Sequence, residues 1–586
     1  MSNRSISKDS RESISVNRYL KNNTWYIAAI VFLAITYVLV WRIQADKPVE
    51  LTRCLPNTTM VYFEQKDSNA ADPMNVADAS LEKIFKSVDV VAVAEEIGVE
   101  GQTIATTRAL IASIKSLQSD PIIDALYGKR HAFALLDKSD AFVSSPEGGD
   151  FFQEHLVIIS EQHDLKQLLT MSSPDQKTPK PFTNVQYGKH RILRFSDNHP
   201  SLSLTVLDDL VVACRNEKQL RRCIDIFDGE QASFAGNRLY RAISEKSPDA
   251  DSLLVLSSAA FGHLLFSPRD FDWSHSPVFL QFSSFFKVPA GFAFSNKKSG
   301  TKLKGKILVD YALQHGDRVS TVQHHHNIVE NSNSFSLATA DPMFYLWSDS
   351  FDIKNIFQGI GEEEDILQEE ASIGDHFKNI FRYLTTVGGG ITIVAEEGGK
   401  DNLLHLPSAM IFIPVIDKDN VQNALRSLLE NYNIPITKDS YETIEYFFWS
   451  QSPQEGITPL YGFLGDMFFA GNSPILLKKI IDFQDRGSFK PLKDLVAENT
   501  HDKTRDKHLL IYSNNVQCVD LIKESLKALG TITAIEDREL AQKVLLVNDK
   551  ILSPLLDGLK MFKSSVVSSY FKERVLHVDV TTEITK

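Results

Sequence analysis

One stretch of the chain occurs twice. Residues 210–227 read LVVACRNEKQLRRCIDIF and residues 466–483 read DMFFAGNSPILLKKIIDF. A shift of 256 positions puts Asn216 on Asn472, Leu220 on Leu476, Arg222 on Lys478, Ile224 on Ile480 and Phe227 on Phe483. Each copy has an apolar run, then Asn, a favoured helix N-cap, then apolar residues at helical spacing. Each therefore reads as strand, cap and helix. The same shift places 155–169 on 411–425, LLVLSS (253–258) on LLIYSN (509–514) and Leu239 on Leu495. A register held this far marks an internal duplication, and a duplicated chain has to fold as two similar units.

The correspondence extends at looser spacing. LPNTTMVYFEQ (55–65) matches TADPMFYLWSD (339–349), and YGKRHAFALLD (127–137) matches VGGGITIVAEE (387–397). At the far end GFAFSNKKSGTKLKGKILVDY (291–311) matches VVSSYFKERVLHVDVTTEI (566–584), both in the pattern of a closing hairpin. The predicted units are 51–330 and 331–586. In the first, strands are expected near 59–64, 130–136, 155–160, 190–196, 201–207, 210–214, 252–257, 290–296 and 302–311. Helices are expected near 80–97, 103–126, 164–171, 216–228, 237–246 and 277–287, and 80–118 reads as a helical insertion with a shorter counterpart at 351–384. Successive strands joined by short loops favour antiparallel pairing. The predicted class is α+β: two units, each a mostly antiparallel sheet with packed helices.

Ahead of these units lies TWYIAAIVFLAITYVLVW, Thr24–Trp41, with no charged residue. Its length comes close to spanning a hydrocarbon core of about 30 Å. Trp25, Tyr26, Tyr37 and Trp41 stand near its ends, where amphipathic rings favour the interface. The tail 1–23 carries Arg4, Lys8, Arg11, Arg18 and Lys21 against Asp9 and Glu12. The positive-inside rule then predicts a cytoplasmic tail, a single anchor at 24–41, a linker at 42–50 and an exported remainder. A cleaved leader fits less well, because Arg42 follows the run directly and no small-residue cleavage site does.

The duplication also bears on the cysteines. Cys214 falls on Ala470 and Cys223 on Lys479, so the second copy builds the element without thiols. A Cys214–Cys223 disulfide requires Cα atoms within about 7 Å, which sequence leaves open. No CxxC or CxxH spacing points to a metal. Cys54 and Cys518 have no evident partner. The small apolar role of a buried thiol suits all four.

Other candidate sites are sparse. In QHHHN (323–327), His324 and His326 would share one face of a strand and could ligate a metal with a third group such as His315 or Glu330. The competing reading is a polar edge strand. VGGGIT (387–392) lacks the Lys and the following helix of a phosphate loop and reads as a turn into a strand. GEEEDILQEE (361–370) lacks the spacing and Gly of a calcium loop and reads as a solvated helix face. No GxSxG, HExxH, Walker or kinase set occurs. No catalytic or cofactor residue is therefore named. The net charge of −13 disfavours a nucleic-acid partner.

The order of one N-terminal anchor, CLPNTTMVYF and then LVVACRNEKQLRRCI resembles a bacterial family described only as a domain of unknown function. That resemblance implies one membrane helix at the inner membrane, a repeated α+β region in the periplasm, and no catalytic residues. The expected role is a membrane-tethered envelope scaffold, adaptor or binding protein with a protein partner. The alternatives are an envelope hydrolase with a spatially assembled site, or a carrier or chaperone for lipid or outer-membrane clients.

Overall fold

The computed structural model describes residues 50–66, 90–96, 130–136, 155–161, 182–195, 202–257, 260, 289–311, 337–339, 342–348, 390–398, 406–415, 417–450, 458–486, 509–536, 538–572 and 575–584. The anchor 24–41, His324 and His326, and the acidic run 361–370 lie outside the described residues. The fold is α+β and dominated by antiparallel sheet. Compactness divides the chain into two units, Met1–Asp272 with Ala290–Lys297, and Trp273–Pro289 with Lys298–Lys586.

Unit 1 contains a 3-10 turn Leu51–Cys54 and strands β1 (Val61–Lys66), β2 (Arg130–Leu135), β3 (Leu156–Glu161), β4 (Phe182–Tyr187), β5 (His190–Phe195), β6 (Ser203–Leu207), β7 (Leu210–Cys214), β8 (Ser252–Ser257) and most of β9 (Pro289–Ser299). Its helices are α1 (Val90–Glu96), α2 (Glu217–Phe227) and α3 (Arg238–Lys246). All pairings are antiparallel, in the spatial order β9-β8-β1-β2-β3-β7-β6-β5-β4. β7 is buried at all five positions. Strands covered on both faces lose the alternation that would mark their orientation.

Unit 2 contains β10 (Lys302–Tyr311), β11 (Phe344–Ser348), β12 (Ile391–Glu396), β13 (Ser408–Pro414), β14 (Ile436–Tyr441), β15 (Ile444–Trp449), β16 (Leu460–Leu464), β17 (Met467–Gly471), β18 (Leu509–Asn514), β19 (Phe562–Lys572) and β20 (Val575–Ile584). Its helices are α4 (Lys418–Asn431), α5 (Pro474–Arg486), α6 (Asn515–Glu536), α7 (Arg538–Val547) and, after a π turn at Asn548–Leu552, α8 (Ser553–Leu559). The spatial order is β20-β19-β18-β11-β12-β13-β17-β16-β15-β14, again all antiparallel, with β10 added beside β20. β10 belongs by sequence to the first copy and by pairing to this unit. Its register runs from Lys302 opposite Glu583 to Asp310 opposite Val575, with Lys306 opposite Asp579 at the centre.

The two strand orders match element for element, but the register of the match differs from the sequence reading. The β6–β7 hairpin pairs Leu207 with Leu210, and the β16–β17 hairpin pairs Leu464 with Met467, a shift of 257 rather than 256. Both hairpins turn through a left-handed residue, Asp208 at φ 52° and Gly465 at φ 56°. Cys214 thus corresponds to Gly471, Cys223 to Ile480 and Asn216 to Ser473. The caps obey this register. Asn216 Oδ1 accepts from the Lys218 N–H, and Ser473 Oγ accepts from the Leu476 N–H at 3.3 Å. Asn472, expected as the second cap, instead accepts from the Ala409 N–H at 2.7 Å and donates to the Pro407 carbonyl at 2.8 Å. Leu253 likewise matches Leu510, not Leu509, since both stand opposite equivalent residues of β1 and β11.

Candidate functional site

Three equivalences place the polar features. Between β1 and β11 the shift is 283, as from Met60 to Met343, whose carbonyls accept from the equivalent Ser257 and Asn514 N–H groups. Between β2 and β12 it is 260, and between β3 and β13 it is 253, both set by ladder registers. Tyr62 then matches Tyr345, and both are fully buried.

Two positions from Tyr62, on the same face of β1, Glu64 is buried and ion-paired. Arg130 Nε donates to Glu64 Oε1 at 2.7 Å, and its Nη1 lies 3.3 Å from Glu161 Oε1. Tyr62 Oη donates to Glu64 Oε2 at 2.7 Å. Glu64, Arg130 and Glu161 are all under a tenth exposed. Burial opposes the Arg130 charge, but Glu64, Tyr62 and Glu161 outweigh it and hold its pKa above the ordinary value. Burial first, then Glu64, keeps the Tyr62 phenol well above its usual range. Tyr240 of α3 packs edge-on against Tyr62 and is pushed up to about 12 by burial, with Glu64 adding to it. Lys66, half-buried, is lowered by desolvation and donates to the Pro248 carbonyl.

Unit 2 has none of these charges at the matching places. Glu64 becomes Trp347, Arg130 becomes Gly390 and Glu161 becomes Pro414. A Cβ built on Gly390 would stand 2.7 Å from Trp347 Nε1 and 2.6 Å from the Ser348 carbonyl. The indole therefore occupies space beside a residue that has to be glycine, in a slot where unit 1 keeps an ion pair.

A second feature recurs in both units. Tyr187, the last residue of β4, donates to Asp225 of α2 at 3.0 Å. Tyr441, the last residue of β14, donates to Asp482 of α5 at 2.7 Å. Arg221 lies 4.7 Å over the Tyr187 ring, and Lys478 lies 5.3 Å over the Tyr441 ring. Asp225 and Asp482, like Arg221 and Lys478, are related by the shift of 257. Each hairpin is thus clamped to its helix by a phenol–carboxylate hydrogen bond and a cation–π contact. In unit 1 the clamp is reinforced by Arg194 to Glu217 and by Lys189 and His190 to Asp228. Hydrogen bonding to Arg194 lowers the Glu217 pKa, and hydrogen bonding to His190 and Lys189 lowers that of Asp228. In unit 2 Tyr446 Oη donates to Asp439 at 2.6 Å, which lowers the Asp439 pKa. Burial, followed by that bond, takes Tyr446 up to about 12.

Neither feature was found from the sequence. The clamps were hidden by the one-residue error in register, which places Asp225 on Ile481. Of VGGGIT, Gly390 directly precedes β12 and Ile391 and Thr392 begin it, while 387–389 lie outside the described residues. All four cysteines are free thiols; Cys54, Cys214 and Cys223 are buried and Cys518 partly so. Burial pushes Cys54 and Cys214 up to about 12, which makes them poor nucleophiles. Among the described residues no group of three His, Cys, Asp or Glu is placed to hold a metal, and no helix is long and apolar enough to cross a membrane.

No family model matches the chain, and no curated protein matches it. Two solved structures, crystal forms I and III of TP0453, are similar at 8% and 10% identity and TM-scores of 0.20 and 0.21. The matches cover 46% and 47% of this chain and 82% and 84% of those chains.

Proposed function

We propose that the chain is a single-pass inner-membrane protein, anchored through Thr24–Trp41, whose exported units act as a scaffold or binding protein for a protein partner of the bacterial envelope. The observation that carries the binding role is the clamp. Both units use the same Tyr–Asp–cation arrangement to hold a hairpin rigid while leaving its outer strand open to solvent. In β14 four consecutive residues, Thr437–Ser440, are exposed. A rigid exposed strand offers backbone donors and acceptors in fixed array, which is the requirement for strand addition by a partner. The uncharged run and its basic leading tail support the tether.

Photo-crosslinking in intact cells tests this reading. A crosslinker at Lys438 or Gln186 should capture the same envelope protein, and Tyr441→Phe should reduce the yield from position 438. Capture independent of the clamp, or no capture at either position, overturns the binding role. Protease added to spheroplasts should digest the region beyond residue 50 and spare the tail; a protected unit 2 would overturn the topology.

A further inference from the structure

The 3-10 turn Leu51–Cys54 is the first described element after the proposed anchor, and it lies along α2. Arg53 stacks over the Phe227 ring at 5.3 Å. Arg222 donates to Thr58 Oγ1 at 3.1 Å. Between these two contacts Cys54 and Cys223 both face the interior, each 0% exposed. Their counterparts in unit 2, Leu337 and Ile480, belong to one apolar cluster, and in unit 1 Cys54 is the first neighbouring group that acts on the Cys223 thiol. Cys54 Sγ donates to the Leu51 carbonyl across a long 3.6 Å.

Cys214 is the rival partner and is placed less well. It ends β7, before the α2 cap, and its thiol donates to the Asn216 carbonyl at 2.9 Å. Its thiol sits beside the first turn of α2, near the Leu220 amide, and is engaged there, and Cys54 acts on the Cys223 thiol ahead of Cys214.

We infer that Cys54 and Cys223, which stand as separate thiols in this structure, are a disulfide-forming pair, oxidised while the chain folds outside the cytoplasm. Two thiols lose their hydrogens and one S–S bond forms. The two electrons and two protons reduce the disulfide of a protein oxidant to a dithiol. Oxidation has to precede the docking of the turn on α2, because burial holds both thiols protonated and the thiolate is the attacking species. The bond would fasten the segment next to the anchor to α2, so that tension on the tether reaches the sheet instead of peeling the turn away. Unit 2, with Leu337 and Ile480, has no such fastening. The proposal rests on the exported topology proposed above.

Mass spectrometry of the full chain separates the two ideas. The chain is extracted from its native membrane under acid, alkylated in denaturant and digested without reductant. A linked peptide pair containing Cys54 and Cys223, lighter than the reduced pair by two hydrogens, is expected, with Cys214 and Cys518 alkylated. A second sample is reduced, unfolded and refolded in a glutathione redox mixture. The Cys54–Cys223 link in both samples supports the proposal. The link in the refolded sample alone keeps the pairing and overturns the export on which its oxidation depends. Absence of the link from both samples, or a link through Cys214, overturns the pairing.

Discussion

Units 1 and 2 share one strand order and fill the same slot with opposite chemistry. In unit 1 Glu64, Arg130 and Glu161 are buried together; in unit 2 the same places hold Trp347, Gly390 and Pro414. The fold itself therefore does not require the ion pair. This agrees with the general balance for buried charges, in which desolvation offsets most of the attraction and a well-packed apolar replacement is often as stable. The two halves also hold their hairpins differently. Both have the tyrosine clamp, but unit 1 adds a run of ion pairs along α2, whereas β15 and β16 of unit 2 add stacked Phe447 and Tyr461.

The comparison can be broken most sharply at Arg130. Arg130→Met leaves Glu64 and Glu161 buried without their cation, and should cost unit 1 about 3–5 kcal/mol. Hydrogen exchange should show lost protection in β1–β3 while β11–β13 stay protected. Glu64→Leu, Arg130→Met and Glu161→Leu together should recover most of the loss; if they do not, the slot is not interchangeable. The converse test is Gly390→Ala, which forces a methyl against Trp347 and the Ser348 carbonyl. It should cost about 1–3 kcal/mol by overpacking, confined to unit 2.

A finer test concerns register. Asn216→Ala and Ser473→Ala should each cost about 0.5–2 kcal/mol as lost N-caps. Asn472→Ala should instead speed exchange at the Ala409 amide and leave the Leu476 amide unchanged. The reverse result would restore the shift of 256.

The smallest effect is acid sensitivity. Glu217 and Asp228 have folded pKa values below their ordinary ones. The stability they contribute is present above the ordinary carboxylate range and is lost as pH falls through their lowered folded values. Amide protection in β4–β5 should therefore fall as pH drops below about 4. β14–β15, with Asp439 as its one lowered carboxylate on the hairpin, should change less.

Much of the architecture was legible in the chain. Strands β1–β3 and β5–β10 and helices α2 and α3 lie within a few residues of their expected positions. β4 was missed because FTNVQY carries a mixed polar pattern with no apolar stripe. The likeness of the two strand orders was legible but its register was not. A helix with Leu476, Leu477, Ile480 and Ile481 all buried presents two apolar rows, so a shift of one still superposes apolar on apolar. A strand such as β7, buried on both faces, gives no alternation to correct the slip. The ion pair was illegible for a different reason. Glu64, Arg130 and Glu161 are far apart in the chain, and each looks like an ordinary surface charge until the ladder of β1, β2 and β3 brings them together.

The pairing of β10 with β20 has a further consequence. A shift of 273 carries Lys302 to Val575 and Asp310 to Glu583, so the register sets each strand against its own counterpart about a local twofold, with Lys306 facing Asp579 on the axis. Two identical strands in this arrangement would have to place one residue type opposite itself, and a charged residue there would repel its mate. Here the central pair is lysine facing aspartate. Opposite charges across a strand pair are worth about 0.2–1 kcal/mol, too little to hold the sheet. It is enough to make each strand prefer the other over a copy of itself, as a key prefers its lock.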